Sequence, residues 1–102
     1  MKTKDLKEIA KYSKVAADLL KALAHETRLM AVCFIGNGEK NVKDLEEYLG
    51  TTQANVSQHL AKLRLAGILE TRKEANQVYY SVKNEKVLLI IDALCVTCSF
   101  KS

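Results

Sequence analysis

Proline is absent from the 102 residues of this chain. With strand-type clusters confined to one region, that absence predicts a mostly helical protein. Extremes of composition are missing too. Apolar residues make up 48% and charged residues 27%, which argues against a disordered tail or a low-complexity binder. No hydrophobic run is long: residues 29–35 and 87–91 are both far too short to span a bilayer. The N-terminus lacks the basic-then-apolar layout of a signal peptide, so the expectation is a cytoplasmic protein with no membrane partner. Cysteine is scarce, with only Cys33, Cys95 and Cys98. In a reducing compartment three such residues are not a disulfide framework, which leaves buried small hydrophobes or reactive groups. No motif implies a cofactor.

What is present fits a single domain over residues 1–102, large enough for one core with little to spare. The formal net charge of +4 and pI near 9.0 suit a polyanionic partner without requiring one. Lys2, Lys4, Lys7, Lys11, Lys14 and Lys21 load the first segment, a distribution that a solvated helix face also explains.

Residues 50–67 carry the most informative pattern. Val56, Leu60 and Leu63 share one helical face, while Thr51, Ala54, Gln58, Ala61 and Lys62 lie opposite at about 100° per residue. The outer face is small, polar and free of acids at its start. Gln, Asn, Ser and Thr there can present amides and hydroxyls to base edges in a major groove, where acids would repel phosphate. Thr51 or Thr52 can cap the helix, and Gly67 can end it in a left-handed conformation. On this stretch alone, an ordinary surface helix of a bundle fits equally well.

The flanking segments narrow the choice. Residues 5–23 form a helix with two adjoining apolar stripes, which predicts burial on two sides, the second against another subunit. A helix over 27–35 ends at Gly36-Asn37-Gly38. Asn41 caps a short third helix, with Asp44 favouring its first-turn amides, and Gly50 stops it. A short helix, a glycine turn and a second helix with a polar outer face make the layout of a helix-turn-helix. Beyond Gly67 the period becomes alternating, Leu69, Thr71 and Lys73 and then Val78, Tyr80 and Val82, giving a two-stranded hairpin. Its turn is Glu74-Ala75-Asn76-Gln77, with Asn76 the residue best suited to positive φ. Arg72, Lys73, Asn76 and Gln77 near the tip can lie along a phosphate backbone or minor groove. Asn84 caps a last helix reaching about Cys98, so apolar that it should be buried nearly all round. Together the two ends predict a homodimer built from the first and last helices. The fold expected is mainly α with one β-hairpin: a five-helix winged helix-turn-helix.

Specific residues then carry a resemblance over essentially the whole length. Leu20-Lys21-Ala22-Leu23-Ala24-His25-Glu26-Thr27-Arg28-Leu29, Ser57-Gln58-His59-Leu60 with Leu63, Ala66 and Gly67, and Arg72-Lys73-Glu74 with Val78-Tyr79-Tyr80 follow one another at family spacing. The chain resembles the ArsR/SmtB family of winged-helix repressors. The resemblance implies a homodimer, not an enzyme, that sits on double-stranded operator DNA and leaves it when an inducer binds. By position it assigns Thr52, Gln53, Ala54, Asn55, Ser57 and Gln58 to bases or phosphates, and Arg72, Lys73 and Gln77 to wing contacts. His59 lies about 60° from the apolar axis, so a packed, hydrogen-bonded structural role competes with a DNA contact.

The metal-sensing motifs familiar in that family are missing. The third helix has no Cys-x-Cys and the last has Asp92 but no histidine, so the usual thiolate and imidazole ligands are lacking. Cys33 on the second helix with Cys95 and Cys98 on the fifth resembles the thiol- and persulfide-responsive, BigR/SqrR/HlyU-like branch. That resemblance implies a switch in which Cys33 joins Cys98 or Cys95 through a disulfide or polysulfide, with reactive sulfur or another oxidant as inducer. The family position for the terminal cysteine falls at Ser99, one residue beyond Cys98. A repressor responding to a metalloid or metal through thiolates, and a constitutive DNA binder with structural cysteines, are the alternatives. A dithiol oxidoreductase built on Cys95-Val96-Thr97-Cys98 is disfavoured, because a helix C-terminus disfavours thiolate. A dimerising module without DNA would not need the residue 53–58 surface.

Overall fold

Short polar side chains set the helix boundaries, and they do so locally. Asp5 accepts a hydrogen bond from the Glu8 N–H at 2.9 Å to open α1 (Leu6–Leu23), and the Nδ1 of His25 accepts from the Thr27 N–H at 3.1 Å to open α2 (Glu26–Ile35). The Asn41 side chain accepts from the Asp44 N–H at 2.8 Å, starting α3 (Val42–Leu49), and Thr52 accepts from the Asn55 N–H at 3.1 Å, starting α4 (Gln53–Leu65). Each cap satisfies an amide the first helical turn leaves without a partner. Asn84 does the same for α5 (Glu85–Leu94) through the Lys86 N–H at 2.9 Å. Gly50, at φ 66° and ψ 33°, occupies the left-handed region that ends α3 and aims the chain into α4. The computed structural model describes residues 5–94.

The sheet departs from the expected pair of strands. Between α2 and α3 the residues Glu39–Asn41 form β1, and with β2 (Leu69–Glu74) and β3 (Gln77–Val82) they make three antiparallel strands in the order β1-β3-β2. Glu39 lies opposite Ser81 and Asn41 opposite Tyr79. A three-residue strand is too short to show an alternation of its own, and its last residue doubles as the cap of α3, which is the feature the sequence displays. The hairpin pairs as expected, with Leu69, Thr71 and Lys73 opposite Val82, Tyr80 and Val78. Its turn corrects a second expectation. Positive φ falls on Ala75, at 57°, and not on Asn76. With Glu74 and Gln77 the last pair, Ala75 is the first of two loop residues. The right-handed twist of the strands demands positive φ at that position, whatever residue occupies it.

The core gathers α2, α3, the start of the hairpin and α5 around α4. Val56, Leu60 and Leu63 are fully buried with Ala31, Val32 and Ile35 of α2, Leu45 of α3, Ile68 and Leu69 at the start of the hairpin, and Val87 and Ile91 of α5. The two ends of the chain are less covered than expected within one protomer. Only Leu23 of α1 is buried; Leu6 is 80% exposed, Tyr12 63% and Val15 62%. On α5, Leu89 is 68% exposed beside the buried Val87 and Ile91. The sequence showed two apolar sides on the first helix and an apolar surface nearly all round the last, and within one protomer only Leu23 of α1 and Val87 and Ile91 of α5 are buried. Cys95 and Cys98 lie outside the described residues.

Ala75 generates a stability prediction. An alanine in the left-handed region carries about 1 kcal/mol of strain that glycine does not. Ala75→Gly should therefore raise the urea-unfolding free energy by about that amount, and Asn76→Gly should not.

Candidate nucleic-acid interface

The outer face of α4 follows from its inner one. With Val56, Leu60 and Leu63 fixed inward, Gln53, Ala54, Asn55, Ser57, Gln58, Ala61 and Lys62 stand in solvent. No acid lies in the first turn, so no carboxylate of that turn offsets the positive end of the helix dipole, and Lys62 and Arg64 sit in the last turn against its negative end. Asn55 is partly committed: its Nδ2 donates to the Thr51 Oγ1 at 3.0 Å, while Thr52 is occupied as the cap. That leaves the amides of Gln53 and Gln58 and the hydroxyl of Ser57 as exposed polar groups with adjustable donors and acceptors.

His59 is set apart from these. It is half-buried, and its ring lies 4.5 Å from that of His25, centroid to centroid, tilted by 51°. Among the described residues its Nδ1 is buried without a hydrogen-bond partner, as is the Nε of Arg28. The packed part of the structural expectation fits; the hydrogen bond at Nδ1 does not. Burial, then the neighbouring His25, Arg28 and Lys62, pull the His59 pKa below its ordinary 6.5. Sequence reading placed His25 within a motif but gave no sign that it would face His59, because their proximity depends on how α2 crosses α4.

The wing residues divide between the two faces of the sheet. Lys73 lies on the face of Thr71 and Leu69, exposed at the tip. Arg72 lies on the other face and is held by its own protein. Its Nε and Nη2 donate to the two oxygens of Glu39 at 2.9 and 2.8 Å, its Nη1 donates to Glu74 at 2.5 Å, and its guanidinium carbon sits 4.8 Å from the centre of the Tyr79 ring. Hydrogen bonding to Arg72 holds the Glu39 carboxyl below the ordinary carboxylate range. Gln77 is also engaged, its Oε1 accepting from the Asn41 Nδ2 at 3.2 Å. Glu39 was missed in the sequence because its partner is 33 residues away.

Cys33, near the end of α2, is half-buried and packed against the core. Among the described residues no group of three or more His, Cys, Asp or Glu side chains could hold a metal ion. None of the described helices is long and apolar enough to cross a membrane.

Comparison with known proteins adds four findings. Residues 25–71, covering α2 through the start of β2, match the sequence profile described as bacterial regulatory protein, arsR family. The chain is 46% identical over 78 residues to the biofilm growth-associated repressor of Agrobacterium fabrum, covering 76% of this chain and 67% of that one. It is 41% identical over 90 residues to the transcriptional activator HlyU of Vibrio cholerae, covering 88% and 83%. The crystal structure of the transcriptional repressor BigR from Xylella fastidiosa superposes with a TM-score of 0.81 at 35% identity, over 97% of this chain and 99% of that one.

His59 makes the pH dependence of stability testable. Below pH 6.5 the unfolded chain binds a proton at this position that the folded protein resists. Stability should be full above pH 6.5 and fall as the pH drops toward the depressed pKa. Urea midpoints at pH 7.5 and 5.5 should separate more for the wild type than for His59→Gln. Equal separations would show that this histidine does not govern the acid limb.

Proposed function

The chain belongs to the arsR family of bacterial regulatory proteins and is a transcriptional regulator; from that premise we propose that it is a cytoplasmic homodimer whose two α4 helices read an operator in double-stranded DNA. The observation that carries the reading is the asymmetry of α4. Its three inner side chains are fully buried while residues 53–58 offer an acid-free row of amides and hydroxyls. The inner face fixes where the outer one points, and the outer one has the chemistry that recognises base edges.

The homodimer reading rests on the uncovered apolar faces of α1 and α5. A second copy related by a two-fold axis would bury Tyr12, Val15 and Leu89, and would present two recognition helices to one face of the duplex. The half-sites would then lie about 34 Å apart. Gln53, Ala54, Asn55, Ser57 and Gln58 are assigned to the major groove, Thr52 to the backbone at the helix start, and Lys73 with Gln77 to the wing contact. Similar relatives are named both repressor and activator. The shared chemistry is therefore DNA occupancy, and the expected action here is repression.

Operator affinity is proposed to be switched through thiols. Cys33 would join Cys98, or failing that Cys95: peroxide takes two electrons and two protons from the thiols and leaves as water, giving a disulfide, whereas a polysulfide gives up two sulfane sulfurs, one inserted between the thiols and one leaving as hydrogen sulfide. A direct disulfide needs Cα atoms about 4.4 to 6.8 Å apart, and an inserted sulfur relaxes that limit. In the sequence Cys95 follows Ile91 by four residues, the step that separates Ile91 from Val87. The support is positional: α2 leads through β1 into the helix-turn-helix and α5 ends at the proposed interface, so a link between them would change the spacing of the two α4 helices.

One series of measurements tests both halves, using the duplex that the reduced wild-type protein selects from a random-sequence library. Gln58→Ala should lose about 1 to 3 kcal/mol of selectivity for that duplex over bulk DNA. Cys33→Ser should bind it as the wild type does and stay bound when a polysulfide is added, while separate Cys95→Ser and Cys98→Ser variants identify the partner thiol. Release of Cys33→Ser by polysulfide or peroxide would end the thiol reading. Arsenite release of the wild type alone would point to a thiolate-bound metalloid instead.

A further inference from the structure

Arg72 is the basic wing residue that a reading from sequence sends to the phosphate backbone, and the structure gives it other work. All three nitrogens of its guanidinium donate within the protein, two to Glu39 as a parallel fork and one to Glu74. One face of the group lies against the Tyr79 ring. A fork of this kind matches both oxygens of a carboxylate at once and fixes direction as well as distance. The cluster holds one positive charge and two negative ones, so it offers a phosphate no net attraction.

Its placement explains what the fork does. Arg72 on β2 lies opposite Tyr79 of β3, and Glu39 on β1 lies opposite Ser81 of the same strand. The Arg72 side chain therefore crosses the middle strand and joins the two outer ones. The ladder between β1 and β3 covers only three residue pairs, helped by the Asn41 to Gln77 hydrogen bond at 3.2 Å. Strand β1 runs directly into α3, the first helix of the helix-turn-helix. A tie from β1 across to β2 sets the angle of the wing against the helix that precedes the reading helix. Releasing Arg72 to a phosphate would break the fork and leave Glu39 and Glu74 without their counter-charge.

We propose that Arg72 is a positioning residue: it keeps its fork with Glu39 when the protein is on DNA, fixes the wing against the helix-turn-helix, and leaves the phosphate contact of the wing to Lys73. This rests on the DNA-binding reading above. Lys73, on the opposite face of the same strand and exposed at the tip, is the cation whose position suits a phosphate.

The two roles separate in salt dependence and in a charge swap. With the duplex selected by the wild-type protein as probe, binding is measured from 50 to 300 mM KCl, roughly the span over which counterion release dominates. Lys73→Ala should make the slope of log K against log salt shallower by about 0.9 per protomer. Arg72→Ala should keep the wild-type slope and lose about threefold to tenfold in affinity at every salt concentration. Exchanging the charges, Glu39→Arg with Arg72→Glu, should recover most of that loss, because a reversed pair can still tie β1 to β2. Hydrogen exchange without DNA gives a second readout: Arg72→Ala should speed exchange of the β1 and β3 ladder amides, and the exchanged pair should slow it again. A shallower slope for Arg72→Ala, or an exchanged pair as weak as Arg72→Ala alone, overturns the inference and leaves the DNA reading standing. If the wild-type protein selects no duplex, the DNA reading falls and this inference with it.

Discussion

Burial of Val56, Leu60 and Leu63 along one side of α4 is the constraint on which the rest of the protein depends. These side chains have no exposure at all, and α2, α3, the start of the hairpin and α5 each contribute buried residues to the same cluster. Removing any one of them would leave a cavity in a core this small, at a cost of about 2 to 5 kcal/mol for a leucine cut to alanine. Such a core cannot rotate α4 without exposing apolar surface. The direction of the outer face is thus a consequence of packing, and the amides of Gln53 and Gln58 inherit it.

Electrostatics distribute the remaining tasks. The start of α4 lacks acids and the end carries Lys62 and Arg64, so the positive end of the helix dipole is left unopposed while its negative end is offset by cations. On the wing the cation is paired: Arg72 forms ion pairs with Glu39 and Glu74, while Lys73 stands exposed on the other face. An exposed ion pair contributes little stability on its own. The fork at Arg72 has value as geometry, because it spans a sheet whose β1 edge holds by only three residue pairs. At the two ends of the chain, α1 and α5 keep apolar faces that one protomer does not cover, which is where the proposed subunit contact places a second copy.

What was legible in the sequence was local. Asn41, Thr52 and Asn84 each act within two or three residues, and Gly50 needs only its own φ, so all four were visible in the order of residues. The inner stripe of α4 and the pairing of Leu69, Thr71 and Lys73 with Val82, Tyr80 and Val78 came from periodicity. What was not legible depends on residues far apart. Strand β1 exists because β3 offers it an edge, Arg72 meets Glu39 across 33 positions, and the rings of His25 and His59 meet because two helices cross. Ala75 takes positive φ because strand twist asks it of that place in the turn, against the preference of the residue itself. The two-sided apolarity of α1 was legible, and the second copy proposed to cover it belongs to another chain.

The central claim is that the outer face of α4 is the surface that meets DNA, and amide chemical-shift mapping of the 15N-labelled protein tests it most directly. On adding the duplex selected by the protein, the account predicts the largest shifts at Gln53, Ala54, Asn55, Ser57 and Gln58, with a second set at Lys73 on the wing. Saturable binding that leaves those residues unmoved and instead shifts the exposed faces of α1 and α5 would contradict it.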